Sequence, residues 1–219
     1  MEDYDVLCIG SVHNEICQQI LENIPEKTIT KESFDELFSE MYPKSTKIAI
    51  FGYKSRIEYL KRNIILNKYS TVSLCVNRNI DISEYMILID KLVANIMNGV
   101  IPVESFQNHL LEMQSDICKD KKISYDDACF AYALVDLLSH SYSFWSGYYI
   151  EQKSKVMDVG RMFGAILADM HYYAYCCGDG MMEGHPYIYI REGCAEGAAY
   201  SSLHYYLFGK PLIPVWVKK

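Results

Sequence analysis

Gly160, Gly164 and Ala168 fall every four residues within one apolar stretch, and Gly193, Gly197 and Ser201 do the same in another. A glycine inside a helix costs about 0.8–1 kcal/mol relative to alanine, so two such rows need an offsetting gain from packing. A four-residue step keeps small residues on one ridge of a helix, and a ridge without side chains lets a neighbour come close. The spacing therefore predicts two helices that cross tightly. Lining a ligand cavity, or letting a helix bend, is the alternative use of the same glycines.

Helical periodicity extends through much of the chain. Val12, Ile16, Ile20 and Ile24 form one stripe, with Cys17 and Leu21 alongside, and Pro25 ends it. Phe34, Leu37, Phe38 and Met41 form a second before Pro43. A third runs through Tyr85, Ile89, Leu92, Val93, Ile96 and Met97 to Gly99, placed as a left-handed cap. Pro102 suits the first turn of the next helix, whose Val103, Phe106, Leu110, Met113 and Ile117 make it the third helix's antiparallel partner. Ser124 and Asp127 are spaced as a capping box ahead of a long helix through Phe130, Leu134, Leu137, Leu138 and Trp145. Two further helices are expected, from Ser154 to about Cys177 and from Glu192 to Phe208.

Strand signals are shorter. Residues 5–9, 47–51, 71–76, 187–190 and 212–217 have strand-like patterns, with Pro214 confining the last to an edge. These predict an α+β, helix-dominated fold: a helical lobe with a minor sheet contributed mainly by the N-terminal third. Residues 1–80 read as a small α/β lobe and 81–219 as a mainly helical lobe, together one compact unit sharing a core. No fixed-period repeat is expected. Of the 19 tyrosines, 13 lie in residues 125–219, which places the larger part of that core there.

A chain of 219 residues, half of them hydrophobic, buries roughly 70% of its surface without disulfides or metal staples. Its net charge of -7 argues against nucleic acid as a partner, and its densest basic run, Lys119, Lys121 and Lys122, is interrupted by Asp120. Eight cysteines combine with an N-terminal stretch that lacks the pattern of an export signal, so a cytoplasmic protein with reduced thiols is expected. Cys8, Cys17, Cys75, Cys118 and Cys129 then read as small core fillers. Residues 162–177, the most membrane-like stretch, are too short to span and contain Asp169 and His171, so no membrane partner is expected.

No C-x-x-C pair exists, and neither metal nor cofactor is expected. His13 and Glu15 match the first half of a deaminase signature, but the second half is missing, and both are expected on the surface of the first helix. Gly52, Lys54 and Ser55 follow a strand-like run, yet the glycines of a phosphate loop are replaced by Tyr53 and Ile48. A regulatory small-molecule sensor using that region or the helical lobe is a third-ranked expectation. For catalysis, Cys194 sits where a helix N-terminus would lower a thiol pKa, with His185 as base; Asp169, His171 and Glu183 form an acid–base alternative.

The leading expectation is protein binding. The Tyr- and Met-rich stretch around residues 172–186 offers Tyr172 and Tyr175 as anchors, while Asp179, Glu183, Glu192 and Glu196 give it negative charge. This describes an inhibitor or immunity-type protein neutralising a basic partner. The alternative is a small enzyme using residues of the 169–196 region.

Overall fold

The computed structural model describes residues 9–24, 29–43, 83–151, 159–182 and 187–209. Seven α-helices run through them: α1 (Gly10–Asn23), α2 (Lys31–Met41), α3 (Ser83–Met97), α4 (Phe106–Ile117), α5 (Tyr125–Glu151), α6 (Val159–Met182) and α7 (Tyr187–Phe208). A 3-10 turn, Val103–Ser105, leads into α4. About 86% of the described residues are helical and none lies in a strand.

This corrects the expected α+β class to a helical fold. Residues 187–190, read as a strand, form the first turn of α7. Four alternating residues cannot separate strand from helix. Once the downstream segment has nucleated, each added residue gains a hydrogen bond without a new nucleation cost. Ile9, at the end of another strand candidate, is in the right-handed helical region at the head of α1. Residues 5–8, 47–51, 71–76 and 212–217 lie outside the described residues.

The helix ends follow local chemistry. Thr30 caps α2, accepting from the Ser33 amide while its own N–H donates to Ser33 Oγ. Gly99 closes α3 at φ 70°, the conformation its position predicts. Tyr85 near the start of α3 donates to Asp120 just beyond α4 at 2.9 Å, tying the open end of an antiparallel hairpin. At the head of α5 the Asp127 amide donates to Ser124 Oγ, and that hydroxyl in turn donates to the Asp127 carboxylate. The second bond of the expected capping box is thus made by the hydroxyl. Gly209, at φ 66°, ends α7.

Among the described residues the core centres on the antiparallel pair α6 and α7, with α5 and α1 packed on it and α4 against α5. The small-residue rows do lie in this pair, but they receive tyrosine rings. A Cβ on Gly197 would overlap the Tyr172 ring of α6, and one on Gly164 would overlap the Tyr205 ring of α7. Each helix thus covers the other's glycine with its own tyrosine. Gly193, in contrast, has open space around it.

That reciprocity exposes a repeat that the periodicity search does not predict. Shifting α6 by 33 residues superposes Gly160, Gly164, Ala165, His171, Tyr172 and Tyr173 on Gly193, Gly197, Ala198, His204, Tyr205 and Tyr206. A single pair of related helices with different intervening residues gives no sustained period.

Described parts of the N-terminal third pack into the same core. Phe34 and Phe38 of α2 are buried against Tyr200, and Phe34 also meets Phe208 edge-on. Asp35 accepts the Tyr200 hydroxyl, and burial followed by that carboxylate pushes the phenol pKa well up.

Candidate functional site

Helix α1 has no N-cap side chain of its own. Asp136, from α5, fills the role: its Oδ2 accepts the Gly10 N–H at 2.9 Å, placing a carboxylate at the positive end of the α1 dipole. Gly10 is required for this approach, because a Cβ there would run into the His140 side chain.

One turn further, α1 carries His13 and Cys17 into the interior. His13 is fully buried, correcting the expectation of a surface residue; Glu15, named with it, is exposed. The sequence-level error is one of periodicity. His13 lies three residues before Ile16 and seven before Ile20, on the apolar stripe itself.

His13 Nε2 is 2.9 Å from Asp169 Oδ1 on α6, 3.4 Å from Ser202 Oγ on α7 and 3.6 Å from Cys17 Sγ. Ser141 of α5 donates its hydroxyl to Asp169 Oδ2 at 2.5 Å. Five polar side chains from four helices therefore meet in a volume from which solvent is excluded. Asp169 and Ser202 are the same position of the two-helix repeat, so His13 faces both copies at once.

The protonation of His13 follows from its neighbours. The His140 carbonyl can only accept, so the Asn14 amide nitrogen that contacts it at 2.9 Å must donate. Asn14 Oδ1 then faces His13 Nδ1 at 2.9 Å and requires an N–H there. An Asp169 carboxylate requires a second N–H at Nε2. The ring is an imidazolium paired with a carboxylate. Burial by itself would lower its pKa; the Asp169 charge, Cys17 and their hydrogen bonds outweigh that and hold it well above 6.5.

Among the described residues no group of three or more His, Cys, Asp or Glu side chains is arranged to hold a metal ion.

The residues singled out from sequence are distributed as follows. Asp169 is buried with a histidine partner, but the partner is His13, 156 residues away. Cys194 is buried near the start of α7, with seven residues of helix ahead of it. Tyr172 is enclosed, its ring over Gly197. Glu196 is partly buried on α7, where its charge and that of Glu15, after burial, raise the Tyr42 phenol pKa. His171, Tyr175 and Asp179 occupy helical positions of α6, and Glu192 one of α7, with side chains outside the described set. Glu183 and His185 lie outside the described residues altogether. Of the expected core thiols, Cys17 and Cys129 are buried and Cys118, at the end of α4, is exposed; Cys8 and Cys75 lie outside the described residues.

No protein-family model, no curated protein and no solved structure matches this chain.

Proposed function

We propose that the chain acts by binding a basic protein through the outer faces of α1 and α2, in the manner of an inhibitor or immunity-type protein. The observation that carries this reading is the charge of the two helices. Across residues 9–24 and 29–43, Glu15, Glu22, Glu32, Asp35, Glu36 and Glu40 stand against Lys31 as the one exposed cation, His13 being buried. Asp35 is engaged with Tyr200, while the five glutamates are exposed. Glu196, named from sequence as part of an acidic patch, acts on Tyr42 at the edge of this surface.

A surface of one sign steers an oppositely charged partner and raises its association rate, most at low salt. No described helix is long and apolar enough to cross a membrane.

The second reading, a thiol- or acid–base-dependent enzyme, draws on the 3.6 Å approach of Cys17 Sγ to His13 Nε2, the same nitrogen that Asp169 contacts. Because these groups are sealed from solvent, a substrate would reach them only with α1 displaced.

The test is affinity capture with the full chain, followed by kinetics against the captured protein at several salt concentrations. Binding that slows as salt rises, and is lost when Glu15, Glu32, Glu36 and Glu40 are changed to Lys, supports the reading. Equal binding by wild type and the charge-reversed variant overturns it.

A further inference from the structure

The five-residue cluster joins α1 to three other helices, and further polar ties run from Gly10 to Asp136, Asn14 to His140 and Gln19 to Tyr42. Ile9, Ile16 and Ile20 hold α1 by apolar burial, so its polar attachment is the part that rests on a group able to lose a proton. We infer that His13 is a latch: losing its proton releases α1 from α5, α6 and α7 as a unit and uncovers the Cys17 thiol.

The geometry gives the reason. If the neutral ring keeps its proton on Nδ1, the Nε2 lone pair faces the Asp169 carboxylate at 2.9 Å. If it keeps the proton on Nε2, the Nδ1 lone pair faces Asn14 Oδ1. Flipping the Asn14 amide only moves the conflict, because its oxygen then meets the His140 carbonyl. Ser202 cannot relieve Nε2 without giving up its bond to the Ala199 carbonyl, and the Asp169 contact would remain. Against an Asp169 carboxylate, each of these neutral-ring arrangements presses two acceptors together where solvent is excluded, and separation of α1 relieves them.

The charged and titratable groups facing the ring are few. They are Asp169 on α6, Cys17 on α1 itself, and Asp136 with His140 at the α1 head on α5. Ser202 on α7 and Ser141 on α5 supply hydroxyls only. Among the described residues Asp169 is the one carboxylate that touches the imidazole, so the transition follows the His13–Asp169 pair.

The experiment uses the full chain between pH 6 and pH 10 with three readouts: the His13 ring nitrogen shifts, hydrogen exchange of residues 10–23, and iodoacetamide labelling of Cys17. Buried Cys129 and Cys194 serve as internal reporters of global opening. The expected result is an imidazolium at pH 7. Above its titration, α1 exchange should rise about tenfold or more over that of α6, with Cys17 labelled ahead of Cys129 and Cys194. The Asp169→Asn variant should move this release to lower pH. Should that variant fail to fold, the wild-type titration still decides. A neutral ring at pH 7, or α1 exchange and Cys17 labelling that track Cys129 and Cys194 at every pH, overturns the latch.

Discussion

His13 Nε2 and Asp169 Oδ1 meet at 2.9 Å with both side chains shut off from solvent, joining positions 156 residues apart in the chain. A buried ion pair adds little net stability over an apolar replacement, because desolvation consumes most of the attraction. Its value lies in what it forbids. Any placement of α1 that leaves Asp169 or His13 alone buries an uncompensated charge, so the pair fixes one register of α1 on α5–α7.

The first prediction is a pH dependence. His13 has a folded pKa raised well above 6.5, the ordinary value of the unfolded chain. Between the two values the native state holds more protons than the unfolded state. The stabilisation is therefore complete below about 6.5 and is lost as pH rises through the folded pKa. Urea midpoints should fall on the alkaline side of neutrality, and His13→Gln should flatten that slope. A midpoint that rises between pH 7 and pH 9 in wild type contradicts the assignment.

The same sign, in a more acidic window, is expected at Asp90, whose carboxyl is pushed up to about 6 by burial. A raised acid pKa disfavours the folded state wherever the group is ionised. Stability from this site should thus increase as pH falls from above 6 towards 3.8, and Asp90→Asn should raise the urea midpoint at pH 7.5. No change, or a loss, in the Asn variant would reject the burial argument.

The tyrosine-on-glycine contacts make a third prediction. Gly164→Ala and Gly197→Ala place a methyl group inside the Tyr205 and Tyr172 rings, so each should cost about 1–3 kcal/mol despite alanine's better helix propensity. Gly193→Ala meets open space and should gain up to about 1 kcal/mol. A double-mutant cycle separates the causes: in a Tyr172→Ala background, Gly197→Ala should lose most of its penalty.

These contacts show where sequence reasoning reached its limit. The rows at Gly160 and Gly193 pointed to a close helix pair, and α1 to α4 were legible from their apolar stripes and from the breakers Pro25, Pro43 and Gly99. What covers Gly164 and Gly197 was not legible, because the rings come from the other helix and their identity depends on antiparallel register. The same holds for the site. Asp169 was visible as an acid in an apolar helix, yet its partner lies in the first helix, and no local pattern links residues so far apart. The one available signal was that a histidine on an apolar stripe needs a buried partner.

The repeat supplies the last prediction. Asp169 and Ser202 hold the same position in α6 and α7, and both face His13 Nε2, at 2.9 and 3.4 Å. If this equivalence is physical, the carboxylate can be moved from one helix to the other. Asp169→Ser alone removes the ion pair, leaving burial to lower the His13 pKa, and should cost about 3–5 kcal/mol, the range for a buried pair that loses one partner. Adding Ser202→Asp returns a carboxylate to Nε2 from the opposite side and should bring the His13 pKa back above 6.5. Recovery should be partial, because Ser141 donates to Asp169 Oδ2 and has no counterpart prescribed by the repeat. Titrating the His13 ring by NMR and measuring urea midpoints for the single and double variants decides the matter. A double variant no better than Asp169→Ser in both measurements would show that the two positions are alike in sequence only.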